Sequence, residues 1–262
     1  MQYQSLHVEE LNGKLIITLC NEIKRNAINN NLLIDFHKVL DHAEQNNNIN
    51  LIIIQATGDY FCIGLDFDEL VKVMGNDNEI LVKNGVKLYM QVLKRFSMIN
   101  KVIITKLDGL VMAGGIGFIS ASDYVIASPR AKFSLSEALW GLLPCNVLPY
   151  LIRRVGFQPA YRMCLTASTI DAEQALRYHL IDEISVNLDE SLYLLCLKLN
   201  RLKVQTIYDL KQFFKKMWII NETMEDYAIN ETTRLALTPH VINNIKNYVN
   251  NGVLPWENTC TT

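Results

Sequence analysis

The chain has 262 residues, a formal net charge of −2 at neutral pH and 20% charged residues. These values are ordinary for a globular protein that buries a large core. The chain has no Lys/Arg cluster of the size typical of nucleic-acid-binding surfaces, and no uncharged apolar run of about 18 residues that would predict a membrane span. Its first ten residues, MQYQSLHVEE, lack the basic and apolar segments of a signal peptide, so a cytoplasmic location is expected.

The N-terminal part alternates strands and helices. Residues 5–10 and the strand KLIITLC (14–20) predict a hairpin across the Asn12-Gly13 turn. Helical spacing of apolar residues predicts a helix over about 31–46, with Asn30 as its cap. The short, wholly apolar LIIIQA (51–56) is typical of a strand covered on both faces.

The same alternation continues, and then changes. A helix is predicted over 79–97, followed by strands KVIITKL (101–107) and YVIAS (124–128). This order favours an α/β fold. From 189 to 250 the pattern is almost entirely helical, and it is so apolar that we expect it to pack on the core or on neighbouring subunits. No internal repeat is visible.

The six cysteines are widely scattered, and none forms a CxxC pair. This spacing makes a zinc site improbable and favours reduced thiols. Most of them are expected to be small core residues. The cysteines are Cys20, Cys62, Cys145, Cys164, Cys196 and Cys260.

Two glycine-containing segments each follow a predicted strand. They are GDYFCIGLDFDEL (58–70) and DGLVMAGGIGFISASD (108–123). A strand that turns sharply into a helix leaves backbone N–H groups unpaired at the helix start. Two such turns from adjacent strands could converge on one oxygen, which would form an oxyanion hole.

These segments, NAI at 26–28 and FSLSEALWGLLP (133–144) occur in an order and spacing that resemble the enoyl-CoA hydratase/isomerase, or crotonase, family. The resemblance covers about residues 5–260. It implies an α/β fold with a ββα superhelical core over residues 1–195 and a C-terminal helical trimerisation region over 196–262. It also implies a homotrimer or hexamer.

The resemblance further implies that two backbone N–H groups hold a thioester oxygen as an enolate. Carried onto this sequence, the donors are those of Leu65 and Gly114, and the catalytic carboxylate is Glu137. Hydratases of the family have a second glutamate three residues after the oxyanion glycine, where this chain has Gly117. One carboxylate still suffices to remove and return a proton beside a thioester carbonyl. Enolate chemistry is therefore expected, and ordinary hydratase activity is not.

Other interpretations of these residues stay open. Glu137 could be a solvated surface carboxylate, and AGGIG could be a site of close packing. A dinucleotide loop is set aside because GxGxxG is missing, so no cofactor is expected. The scattered cysteines predict that no metal is bound. Substrate-binding candidates are Tyr89, Trp140 and Asp66, which could instead be a helix–core tyrosine, a core aromatic and a helix N-terminal charge.

Two acidic residues near the first turn, Asp59 and Asp68, predict repulsion of the phosphates of coenzyme A. A carrier-protein arm has no adenosine diphosphate. The chain also resembles, within the family, the dehydratases of polyketide β-branching. Those enzymes convert a 3-hydroxy-3-methylglutaryl group on an acyl carrier protein into a 3-methylglutaconyl group, and the resemblance implies the same reaction and partner here.

Several details of this chemistry stay open. Either Glu137 or Tyr89, or a bound water, could protonate the leaving hydroxyl. Arg153 and Arg154 could meet the distal carboxylate of the substrate or the carrier protein, or could be exposed helix ends. Two alternatives remain for the function: an enoyl-CoA isomerase or hydratase, and a non-catalytic scaffold that binds acyl carrier proteins.

Overall fold

A computed structural model of the chain describes residues 3–74 and 79–257; Cys260 lies outside them. The predicted hairpin is present, with β1 (Leu6–Leu11) antiparallel to β2 (Lys14–Leu19). Asn12 and Gly13 both have positive φ, 50° and 75°, as a tight two-residue turn requires.

The first long helix, α1 (Asn30–Gln45), corrects one prediction. Its N-cap is Asn29 and not Asn30, because the Asn29 side-chain oxygen accepts a hydrogen bond from the Leu32 N–H at 2.9 Å. Asn29 is the residue with extended backbone, whereas Asn30 is already helical. The pair of asparagines does not reveal from sequence which of them adopts the capping conformation.

The remaining strands fall into two sheets. One sheet has the order β1-β2-β3-β5-β7-β10, parallel except for β1, and the other has the order β4-β6-β8-β9, parallel except for β9. The strands are β3 (Leu51–Ala56), β4 (Tyr60–Cys62), β5 (Val102–Leu107), β6 (Leu110–Met112), β7 (Tyr124–Ala127), β8 (Lys132–Ser134), β9 (Ile170–Asp171) and β10 (Glu183–Ile184).

Successive ββα units build the core, as the resemblance implies. Strands β3 and β4 lead into α2 (Phe67–Met74), β5 and β6 lead into α4 (Gly114–Ala121), and β7 and β8 lead into a short 3₁₀ helix (Glu137–Trp140). A long helix, α3 (Glu79–Met98), lies between the first two units. The repeat is not visible in the sequence because each second strand has only three residues and each turn differs.

The large sheet is covered on both faces, which explains its unbroken apolar strands. On one face, Ile52 and Ile54 belong to a buried cluster shared with α1, α3 and α4. On the other face, Leu51 and Ile53 pack with side chains of α8 (Leu188–Leu199) and α9 (Val204–Lys215). Part of the apolar helical tail therefore packs on the α/β core.

A buried lysine fixes the tail to the core. Lys211 on α9 lies 2.6 Å from the Asp123 carboxylate and donates to the Lys101 carbonyl at 2.9 Å. Burial lowers the pKa of Lys211, and the charge of Asp123 opposes this shift. Removing the Asp123 carboxylate would leave the charge of the buried Lys211 uncompensated.

The remaining helices complete the C-terminal part. They are α5 (Leu148–Val155), α6 (Phe157–Thr166), α7 (Ala172–Arg177), α10 (Glu222–Ala236) and α11 (Pro239–Asn251). Helix α10 packs on α3, and α11 packs on α2. The expected division at 195/196 stays a prediction; α8 runs across that point. None of the helices in residues 3–74 and 79–257 is long and apolar enough to cross a bilayer, and the cytoplasmic location also stays a prediction.

Large apolar side chains are exposed on several of these helices. Phe157, Tyr161 and Leu165 share one face of α6 at helical spacing. Phe213 and Phe214 are exposed on α9. An assembly of several copies would bury such surface. The expected trimer or hexamer stays a prediction that the molecular mass in solution tests.

Candidate active site

The first glycine turn joins β4 to α2. An isolated parallel β-bridge pairs Leu65 in this turn with Ile28, and the Leu65 N–H takes no part in its hydrogen bonds. The Ile28 N–H donates to the Gly64 carbonyl at 2.7 Å, and the Asp66 N–H donates to the Ile28 carbonyl at 2.9 Å. Because alternate residues of an extended chain direct their amides to opposite sides, the Leu65 N–H points away from Ile28. The NAI motif at 26–28 therefore holds the turn without using this donor.

The second turn joins β6 to α4. Ala113 has φ 47° and ψ −122° and donates its N–H to the Ser134 carbonyl at 2.9 Å. Gly114 is the first residue of α4, so its N–H has no carbonyl partner one turn earlier in the helix. This donor lies at the positive end of the helix dipole.

The two turns touch each other. A Cβ atom placed on Gly64 would lie 3.1 Å from the Gly114 nitrogen and 2.6 Å from the Ala113 Cβ. Only glycine permits this approach, and its φ of 88° adds a second requirement for glycine at position 64. The amides of Leu65 and Gly114 thus belong to adjoining turns, as an oxyanion hole requires.

A cavity of about 1080 Å³ is lined by these turns and by Glu137. All six predicted site residues, Glu137, Leu65, Gly114, Tyr89, Trp140 and Asp66, line it. The structure therefore brings together residues from four separate segments of the sequence. Their roles in binding and catalysis stay predictions.

The Glu137 carboxylate is partly buried at the start of the 3₁₀ helix. Glu137 begins the 3₁₀ helix, and the left-handed Gly141 (φ 84°) ends that helix. The residue as a whole is only half-buried, but its Oε2 atom is buried and has no hydrogen-bond partner in residues 3–74 and 79–257. Burial raises the pKa of Glu137 to about 7, and a hydrogen bond with its own backbone opposes that shift.

This raised pKa predicts a pH dependence of the reaction rate. A general base must be ionised, so kcat/KM is expected to rise with pH, with unit slope below about pH 7, and to level off above it. The pKa of Tyr89 is raised well above its ordinary value, so ionisation of Tyr89 contributes no decline up to pH 9. Initial rates between pH 5 and 9 measure this profile. A rate that hardly changes between pH 6 and 9, as a carboxylate with an ordinary pKa would give, would contradict the burial argument.

Position 117 has no room for a side chain. A Cβ atom on Gly117 would lie 2.0 Å from the Tyr89 hydroxyl oxygen and 3.2 Å from Leu93 Cδ1. The Tyr89 hydroxyl donates to the Gly114 carbonyl, which fixes it against the first turn of α4. The Tyr89 hydroxyl therefore occupies the space that the side chain of a glutamate at position 117 would need.

Two other candidates have structural roles as well as positions on the cavity wall. Asp66 caps α2, because its side chain accepts the Asp68 N–H at 3.0 Å. Trp140 packs against Phe67, with ring centroids 4.8 Å apart, and against Tyr248, at 5.2 Å. The position of each residue is thus compatible both with substrate binding and with the structural role predicted from the sequence, a helix N-terminal charge for Asp66 and a core aromatic for Trp140.

The prediction that Asp59 and Asp68 repel the phosphates of coenzyme A is wrong, because both carboxylates form ion pairs. Asp68 forms an ion pair with Lys24, and Asp59 lies 2.9 Å from the Arg130 guanidinium. Each carboxylate is paired by a cation that is distant in sequence. Neither presents an unopposed negative charge to a nucleotide.

Arg153 and Arg154 are not the exposed helix ends that were one interpretation of the sequence, whereas a contact with the carrier protein stays a prediction. Arg153 donates to the Ser120 carbonyl at 2.8 Å, and Arg154 donates to the Ser122 carbonyl at 3.0 Å. Both bind the carbonyl end of α4, where cations are favoured. Burial lowers the pKa of Arg153 to about 10. Neither side chain lines the cavity, so neither can meet a substrate carboxylate there.

Some cavity residues were missed by the sequence argument. Lys24 and Arg25 are the basic side chains among the described residues that line the cavity, and they directly precede the NAI motif, which is a usable signal. Tyr248 and Trp256 reach it from the C-terminal segment, for which no local signal exists. Across residues 3–74 and 79–257, no three His, Cys, Asp or Glu side chains cluster as metal ligands would.

The two amide donors, the Glu137 carboxylate and the large cavity can now be compared with known proteins. These comparisons identify the class of enzyme. A profile of the enoyl-CoA hydratase/isomerase family matches residues 9–258, and the chain belongs to that family. It is 32% identical to the bacillaene synthase dehydratase PksH of Bacillus subtilis (strain 168), over 97% of each chain. The crystal structure of a Bacillus subtilis polyketide biosynthesis enoyl-CoA hydratase (PksH) has a TM-score of 0.89 and 30% identity, covering 97% of this chain and 100% of that one.

More distant relatives have other activities. The 2,3-dehydroadipyl-CoA hydratase of Escherichia coli (strain K12) is 29% identical over 65% of each chain. The trans-2-decenoyl-[acyl-carrier-protein] isomerase of Streptococcus mutans is 23% identical over 70% of each. The crotonase fold predicted from the sequence is confirmed, and the protein is an enzyme of the hydratase/dehydratase type.

Proposed function

We propose that the protein dehydrates 3-hydroxy-3-methylglutaryl attached to an acyl carrier protein, giving the 3-methylglutaconyl thioester in polyketide β-branching. The observation that supports this proposal best is the buried Glu137 Oε2, which has no hydrogen-bond partner among the described residues and belongs to a side chain lining the same cavity as the two adjoining amide donors. The similarity to the PksH dehydratase along nearly the whole chain supports the same reaction type.

In the proposed mechanism, the N–H groups of Leu65 and Gly114 bind the thioester oxygen. Glu137 removes the α-proton, and the electron pair of the C–H bond moves into an enolate held by the two amides. The enolate then re-forms the carbonyl, its electron pair forms the double bond between the α- and β-carbons, the C–O bond to the β-hydroxyl breaks, and that hydroxyl leaves as water after gaining one proton. An acyl group on a phosphopantetheine arm presents this thioester to the cavity.

The proposal that the substrate is bound to a carrier protein is supported by the similarity to PksH. Charge does not support it, because Asp59 and Asp68 are both in ion pairs. The second candidate is a double-bond isomerase or hydratase acting on acyl-CoA. Of these two activities, the absence of a side chain at Gly117 favours the isomerase, since one glutamate can move a proton between two carbons. A non-catalytic scaffold has no use for a buried carboxylate oxygen without a hydrogen-bond partner among the described residues, because its burial is unfavourable.

Intact mass spectrometry tests the proposal. The purified protein is incubated with a carrier protein bearing 3-hydroxy-3-methylglutaryl and, separately, with the coenzyme A thioester of the same acid and with 3-enoyl-CoA. We expect a loss of about 18 Da, one water, from the carrier-bound substrate and a much slower reaction of the other two. Isomerisation leaves the mass unchanged, so the 3-enoyl-CoA reaction is followed by the ultraviolet absorbance of the conjugated enoyl thioester. Faster conversion of 3-enoyl-CoA to its conjugated isomer would favour the isomerase, and binding of the carrier without turnover of any thioester would favour the scaffold.

A further inference from the structure

The Tyr89 side chain extends from α3 to the first turn of α4, inside the cavity that Glu137 lines. Its hydroxyl donates to the Gly114 carbonyl at 2.5 Å. Its ring packs edge-on against Phe118, with centroids 5.6 Å apart and an interplanar angle of 83°. The hydroxyl is thus fixed both by a hydrogen bond and by the packing of its ring.

The hydroxyl also fills the place of a side chain on α4. Positions 114 and 117 lie one turn apart on the same face of the helix. The Tyr89 oxygen would be 3.5 Å from a Cβ on Gly114 and 2.0 Å from a Cβ on Gly117. The polar group that α4 cannot present at position 117 is therefore presented by α3.

We propose that the Tyr89 oxygen accepts a hydrogen bond from the β-hydroxyl of the substrate and orients it toward Glu137; this rests on the proposed function. A tyrosine hydroxyl has one hydrogen to donate and can also accept. The hydrogen is used by the Gly114 carbonyl, so the remaining capacity toward the cavity is that of an acceptor. A substrate hydroxyl that donates to Tyr89 keeps a lone pair free to receive a proton.

This geometry also indicates which residue donates the proton to the leaving hydroxyl. Burial, together with the neighbouring Cys62 and Glu137, raises the pKa of Tyr89 well above its ordinary value, so the phenol keeps its proton. Glu137, with a pKa of about 7, is the stronger acid once it has taken the α-proton. Glu137 therefore returns that proton to the β-oxygen as the C–O bond breaks, water leaves from the same face, and Glu137 is again a carboxylate.

The first test separates enolate formation from loss of water. Tyr89→Phe keeps the ring and removes the hydroxyl, and dehydration of the carrier-bound substrate is expected to fall tenfold or more, about the value of one lost hydrogen bond. Solvent deuterium exchange at the α-carbon of a 3-methylglutaryl thioester, which lacks the hydroxyl, is expected to change less than about threefold. Tyr150→Phe is the matched control, because that buried hydroxyl approaches Met90 sulfur at 3.8 Å and does not line the cavity.

The second test uses the steric contact at Gly117. Gly117→Ala alone is expected to displace the Tyr89 hydroxyl and to lower dehydration as much as Tyr89→Phe does. Once the hydroxyl is removed, the nearest contacts of the new Cβ are Tyr89 Cζ at 3.1 Å and Leu93 Cδ1 at 3.2 Å, both of which can shift. The double variant Tyr89→Phe/Gly117→Ala is therefore expected to be no worse than Tyr89→Phe.

Three results would overturn the inference. The first is dehydration by Tyr89→Phe at the wild-type rate. The second is an equal fall of exchange and dehydration in that variant, because it would mean that Tyr89 acts only by holding the Gly114 turn. The third is additive losses in the double variant. A wild-type enzyme that exchanges the α-proton but releases no water would instead refute the proposed function, and the inference with it.

Discussion

Replacing Glu137 by Gln is expected to lower the rate of dehydration by about 10²–10⁴-fold, the usual contribution of a general acid–base group. Glutamine has the same shape and cannot accept the α-proton. Since Oε2 makes no hydrogen bond among the described residues, the substitution breaks none at that atom. The measurement is the rate of water loss from the carrier-bound thioester, followed by intact mass.

Stability provides the control for this variant. The pKa of Glu137 is raised in the folded protein, so the folded protein binds more protons than the unfolded chain between about pH 4.5 and 7. Wild-type stability therefore falls as pH rises through that window, and the glutamine variant lacks this fall. Its melting temperature relative to wild type should rise from pH 5 to pH 8, with the oligomeric mass unchanged. Glu173→Gln, an exposed carboxylate on α7, should change neither rate nor stability measurably. Near wild-type turnover by Glu137→Gln would remove Glu137 from its role.

Gly64→Ala is expected to cost about 10²–10³-fold in rate, as the loss of one oxyanion donor does in other enzymes. The added methyl would lie 2.6 Å from the Ala113 Cβ, so the two turns must separate. The φ of 88° adds strain of about 1–3 kcal/mol. Turnover and α-proton exchange should fall together, because the amides act before water leaves.

Gly156→Ala is the matched control. Gly156 also has a left-handed φ, 82°, but a Cβ there meets nothing within 4 Å, and the residue lies between α5 and α6, outside the cavity lining. It should lose stability without losing activity. If Gly64→Ala retained the wild-type rate of exchange, the adjoining turns would not form the proposed oxyanion hole.

Local patterns were sufficient to predict most of the core. LIIIQA and KVIITKL are apolar on both faces because helices cover the sheet on both sides, and that burial is encoded residue by residue. The cap at Asn29 was misplaced by one residue, since both asparagines have the same chemistry and only backbone conformation distinguishes them.

The site was predicted in part, for a physical reason. Glycines mark close backbone approach, so the two glycine-containing turns could be singled out from the sequence. The choice of Leu65 and Gly114 within them, and of Glu137, came from the resemblance to the family. Long-range pairing could not be predicted. The pairing of Asp68 with Lys24 and the contact of Tyr89 with Gly117 join segments that lie far apart in the chain. The burial of Arg153 also depends on such packing.

The contact between α11 and the 3₁₀ helix has a consequence for protein engineering. Asn244 donates to the Trp140 carbonyl at 3.3 Å, and Tyr248 and Trp256 pack on the Trp140 ring. The same 3₁₀ helix begins with Glu137. A chimera that exchanges the last helices between two relatives would therefore transplant part of the cavity wall, including Tyr248 and Trp256, together with the surface those helices present.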